Sequence, residues 1–117
     1  MYQYINLDYI DLMTDGDDEM KVTMLEMLLE EMPAELEIMK NHLKNAEWED
    51  LFKAAHKMKS TLSFIGNDAM TEANVAIEHA AKHEENLDSI PGHLATVDET
   101  YLKAINEIQS AIRAANN

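Results

Sequence analysis

From Glu47 to Ile65 the chain holds no glycine or proline and sorts its side chains by helical angle, which commits this stretch to an amphipathic helix. At about 100° per residue, Leu51, Ala54, Ala55, Met58, Thr61, Leu62 and Ile65 share one side, and only Thr61 among them is polar. Glu49, Phe52, Lys53, Lys59, Ser60 and Ser63 fall within about 60° of His56 on the opposite side. The core-facing stripe is thereby assigned, and His56 belongs to the wet face. Gly66 stands where a left-handed residue ends a helix, and Asn67-Asp68 supplies the next N-cap.

The rest of the chain follows the same pattern. Only three glycines and two prolines punctuate 117 residues rich in Ala, Leu, Met, Glu and Lys. Asn6 is an N-cap candidate for a short helix through Met13, although Tyr2, Tyr4 and Ile5 also suit extended chain. Asp17 or Asp18 caps a helix to about residue 32 with Leu25, Leu28, Leu29 and Met32 on one stripe. Pro33 opens a second helix, or a kinked continuation, that carries Leu36, Met39 and Leu43 to about Asn45. Ala69, Ala73, Ala76, Ile77 and Ala80 form a small-residue stripe from Asp68 to about Glu84. After a turn from Asn86 to Gly92, Leu94, Val97, Tyr101, Ile105, Ile108 and Ile112 mark the last helix. The nine methionines, several of them between residues 20 and 32, are expected to fill the core. Short loops between long amphipathic helices predict an all-α fold, an antiparallel four-helix bundle with a short accessory N-terminal helix, as one domain over residues 1–117.

The chain has no cysteine, which excludes disulfides, thiol nucleophiles and thiolate metal sites. A formal charge of −14, from 23 acidic and 9 basic residues, repels nucleic-acid phosphates and anionic membranes. The start lacks the basic head and apolar run of a signal peptide, and no long apolar run occurs. The expectation is a stand-alone, soluble, cytoplasmic monomer.

Acid is unevenly spread. No Asp or Glu lies between Asp50 and Asp68, where Lys53, Lys57 and Lys59 cluster around His56. A solvent-exposed imidazole is largely neutral near pH 7, so one ring nitrogen keeps a lone pair able to attack phosphorus without a dedicated base. Phosphorylation adds nearly two negative charges, which Lys59 one turn along the helix is placed to offset. Ser60 and Ser63 are short and leave one flank of the ring open, and Phe52 offers an apolar contact on the same face.

The segment His56-Lys57-Met58-Lys59-Ser60, with Gly66 ten residues after the histidine, resembles the His-x-Leu-Lys-Gly motif of the histidine-containing phosphotransfer (HPt) family. Tyr9-Ile10-Asp11-Leu12, the helix ending at Met32-Pro33, Leu51 through His56 and the terminal helix also resemble that family's layout. The resemblance implies that His56 is the phospho-acceptor, that Lys59 steadies the phosphoryl group and that Gly66 ends the helix. It implies a phosphorelay intermediate of two-component signalling, with receiver domains or a hybrid histidine kinase as partners. Phe52, Lys53, Ser60 and Ser63 then make a docking face. No cofactor is implied for this chain, magnesium being expected on the receiver. Met58 replaces a leucine as a tolerated core swap, and Ser60 replaces a glycine beside the docking site.

Rival readings are poorer. His79 and His83 sit four apart and could share a metal ion, but Glu78, Glu84 and Glu85 beside them read as a solvated helix end. An EF-hand from Asp11 to Val22 fails because Met13 and Val22 stand where oxygen ligands are needed. No strained serine elbow supports a hydrolase, and no glycine-rich phosphate loop supports autophosphorylation from ATP, so an enzyme is not expected. The alternative is a non-catalytic helical module that binds a receiver or kinase without being phosphorylated, or serves purely as a helical scaffold.

Overall fold

The computed structural model describes residues 2–116. Five α-helices follow in order: α1 (Asp8–Thr14), α2 (Asp18–Lys44), α3 (Trp48–Ile65), α4 (Asp68–His83) and, after a 3-10 turn at Leu87–Ser89, α5 (Ile90–Asn116). Asp17 caps α2 by accepting the Met20 amide at 3.1 Å, and Asn67 caps α4 by accepting that of Met70 at 2.9 Å. Gly66 closes α3 at φ 72°.

The four long helices contact one another in a ring, α2 to α3, α3 to α4, α4 to α5 and α5 back to α2. Connections of a few residues force successive members to reverse direction. Each 27-residue helix rises about 1.5 Å per residue, which accounts for the long axis of a molecule measuring 47 × 21 × 19 Å. Leu25, Met32 and Met39 of α2, Leu51, Met58 and Ile65 of α3, Met70 and Ile77 of α4, and Ile90, Val97 and Ile108 of α5 are wholly enclosed between them.

The N-terminal segment is strapped across one end. The amides of Gln3, Tyr4 and Ile5 donate to the Glu107 carboxylate of α5 at 3.0, 2.7 and 3.2 Å. Asn67 Nδ2 donates to the Tyr4 carbonyl at 2.9 Å, and the Asn6 amide donates to the Ile65 carbonyl at 2.8 Å. α1 then rests on α2 and α3, with Lys21 pairing to Asp11 at 2.7 Å.

Several expectations need correction. Of the two readings at Pro33 the second helix falls and the continuation holds: α2 runs through the proline, because Leu25, Leu28, Met32, Leu36 and Met39 bury one continuous stripe on either side of the missing amide. α5 begins at Ile90 rather than after Gly92, since amides of a first turn have no helical partner and Pro91 therefore forfeits nothing. Asn6 lies one residue before the α1 cap, Leu7, and its side chain instead accepts the Asp8 amide at 2.9 Å. Among the methionines Met32, Met39, Met58 and Met70 are core, whereas Met13, Met20 and Met27 are exposed. Ala69 is exposed too, and α4 turns Met70, Ala73, Asn74, Ile77, Glu78 and Ala81 inward.

Polar atoms in the core are few. Thr61 donates to Glu35 Oε2 at 2.9 Å across the α2–α3 seam, leaving buried Glu35 Oε1 without a hydrogen-bond partner among the described residues. Burial raises the Glu35 carboxyl above the ordinary range, only partly opposed by the Thr61 hydroxyl and the Lys57 charge. An acid whose folded pKa is raised favours folding when protonated, and that advantage is lost as pH rises through the folded value. Glu35→Gln is therefore expected to melt higher than the wild type at pH 7 and close to it at pH 4, as thermal denaturation at the two pH values will show.

Candidate functional site

α3 and α4 pack side by side, and the groove between them has a volume of about 400 Å³. Its walls are Phe52, His56 and Lys59 from α3 and Val75, Glu78, His79, Lys82 and His83 from α4. The angular assignment of His56 to the outer face holds, for its side chain is 66% exposed while Leu51, Ala55, Met58, Leu62 and Ile65 are buried behind it.

The acid-free window in the sequence does not survive folding. α4 delivers Glu78, 11% exposed at its side chain, directly to the ring: Oε2 lies 2.8 Å from His56 Nδ1 and Oε1 lies 3.0 Å from Lys59 Nζ. Burial alone pushes the Glu78 carboxyl up, but the hydrogen bonds from His56 and Lys59, with the Lys59 charge, outweigh it and hold the group below the ordinary carboxylate value. An ionised carboxylate has no proton to give, so Nδ1 is the donor. In the neutral imidazole the lone pair is then on Nε2, the nitrogen turned away from the carboxylate. Glu78 thus fixes the tautomer and the rotamer of an accessible imidazole.

Cations frame the ring. Lys59 is 48% exposed, and Lys82 Nζ lies 5.6 Å from the centre of the Phe52 ring, which in turn sits 6.1 Å from the His56 ring. Phe52 is half-buried, so it forms the groove's apolar floor rather than a free surface aromatic. Lys53 is exposed and pairs with Glu49 at 3.6 Å. Ser60 and Ser63 are exposed on the His56 face but outside the groove, with the Ser63 hydroxyl donating to the Ser60 carbonyl. Gly66 lies at the helix end, away from the chemistry.

Glu78 is the residue that sequence reasoning missed, having been assigned to a solvated helix end. Its signal was a carboxylate at the inward phase of α4, with Asn74, Ile77 and Ala81 at spacings of four, one and three. His79 and His83 line the same groove with ring centres 4.5 Å apart. Among the described residues, three potential metal ligands come within reach of one ion at His42, Glu47 and Asp50 in the α2–α3 turn, where His42 and Glu47 already pair at 3.0 Å. No described helix is long and apolar enough to cross a membrane.

No curated protein and no solved structure matches the chain significantly. The family model for the Hpt domain matches residues 23–115, which takes in most of α2, the whole of α3 and α4, all but the last residue of α5, and every wall of the groove. The match covers more than half of the chain, and the chain belongs to the Hpt domain family of two-component phosphorelays.

Proposed function

We propose that this protein is a phosphorelay intermediate in which His56 Nε2 takes a phosphoryl group from the aspartyl phosphate of a receiver domain and passes it to another receiver aspartate. The observation that carries this reading is the Glu78 hydrogen bond at Nδ1, which in the neutral imidazole puts the lone pair on Nε2 of an exposed ring. In the forward step the N–P bond forms as the P–O bond to the receiver's aspartate breaks, and the carboxylate leaves with the bonding pair. The ring becomes cationic, its proton stays on Nδ1, and the Glu78 carboxylate offsets the charge. Lys59 and Lys82 offset the phosphoryl oxygens. The receiver or hybrid kinase brings magnesium and the other carboxylates, so this chain acts as a mediator with no ATP chemistry of its own.

The test is incubation with a radiolabelled phospho-receiver and magnesium. The expected label on this protein is acid-labile and alkali-stable, and absence of label from every receiver of the host would overturn the reading. Lys59→Ala is expected to slow transfer on the order of tenfold with the melting temperature almost unchanged, because its ammonium is half exposed and lies outside the core. Rapid-quench transfer kinetics beside a melting curve will separate the two effects.

A further inference from the structure

One turn before Glu78 on α4, Asn74 is 1% exposed, and its Nδ2 donates at 2.9 Å to the carbonyl of Ala55, the residue that precedes His56. Its Oδ1 is buried with no hydrogen-bond partner among the described residues. An amide placed in the core for stability alone would satisfy both ends, and a leucine of similar volume would satisfy neither need and leave no orphan. A polar group that breaks this local rule points to a demand from the site.

The geometry shows what the demand is. The Ala55 carbonyl is main chain and cannot swing, unlike the groove side chains, so the bond sets the height and separation of α4 against α3 at the acceptor. In an α-helix the same carbonyl also receives the amide of the residue four further on, here Lys59. The bond therefore addresses the turn that carries both partners of Glu78. A carboxylate on a short side chain must lie within tenths of an ångström to span 2.8 Å to His56 and 3.0 Å to Lys59 at once.

We propose that Asn74 is a positioning residue for the phospho-acceptor: by tying α4 to the main chain of α3 beside His56, it holds the Glu78 carboxylate where that group fixes the imidazole's tautomer. The kinetic consequence rests on the phosphoryl-transfer reading of His56, whereas the tautomer does not. Asn74 touches no reacting atom and acts only through Glu78.

Asn74→Leu removes the donor and the orphan together. It is expected to fold with a melting temperature equal to or above that of the wild type, while nitrogen chemical shifts of His56 show a loss of the bias toward the Nδ1–H tautomer. Transfer from a phospho-receiver is expected to slow on the order of 10- to 100-fold, the effect of misplacing a reacting group by a fraction of an ångström to an ångström. In a Glu78→Ala background the same substitution should change neither quantity further. An unchanged tautomer ratio in Asn74→Leu, or an equal loss of transfer with and without Glu78, would overturn the proposal. Should Asn74→Leu fail to fold, Asn74→Thr, which keeps a donor, must retain the wild-type tautomer ratio for the proposal to stand. If the wild type itself accepts no phosphoryl group, the relay reading fails and the tautomer ratio alone decides the role of Asn74.

Discussion

A His56→Gln protein is expected to melt with the wild type and to carry no transferable phosphoryl group. The side chain is two-thirds exposed and contributes nothing to the enclosed stripe of α3, so its replacement costs within about 1 kcal/mol of stability. A glutamine amide can still donate toward Glu78, which spares that carboxylate an empty partner position. What it lacks is a nucleophile, because the amide lone pair is delocalised into its carbonyl and no second nitrogen remains. The loss of label should be complete rather than graded. Circular dichroism melts and labelling from a phospho-receiver measure the two halves separately. Labelling at the wild-type level would move the acceptor elsewhere in the groove, to His79 or His83, and would end the assignment of His56.

The second large effect is on the fold. Gly66→Ala is expected to destabilise the bundle by about 2–4 kcal/mol, the sum of a left-handed backbone imposed on an L-residue and a steric collision. At φ 72° the new Cβ would drive into the Asn6 carbonyl oxygen and approach Asn6 Cβ to 2.9 Å. Asn6 has little freedom to retreat, because its amide is bonded to the Ile65 carbonyl and the preceding residues are bonded to Glu107. The melting temperature should fall by roughly 10 °C or more. A fall of only one or two degrees in a calorimetric scan would mean that the N-terminal strap moves aside at little cost. His56 lies three turns away, so labelling of the folded fraction should persist.

What the sequence disclosed and what it concealed divide along one physical line. The face of α3 was legible because a run without breakers lets helical angle be counted from one residue to the next, and burial followed the count at Leu51, Ala55, Met58, Leu62 and Ile65. The same count placed His56 and Lys59 outward and Gly66 at the end. Glu78 and Asn74 share the inward phase of α4, but their residue type masked that signal, because what a buried polar group meets is decided by the helix it lies against. Judged by type alone, a glutamate and an asparagine among alanines belong to solvent. Pro33 left a new helix and a continuation both open for a related reason: one lost hydrogen bond is a local penalty, whereas a shared stripe on both sides of it is a tertiary gain that local rules do not weigh. The charge window around His56 was real along the chain and void in space, since α4 brings a carboxylate across the groove.

The strap at the bundle end has a consequence for synthesis. Its carboxylate anchor, Glu107, is separated by about a hundred residues from the amides it receives, the longest span between any hydrogen-bonded partners described above. On the ribosome the anchor emerges about a hundred residues after the amides it receives, so α2 to α4 can collapse well before the strap can close. Closure of that strap is then the chain's own signal that α5 has docked, and the protection of the Gln3, Tyr4 and Ile5 amides from hydrogen exchange times that moment.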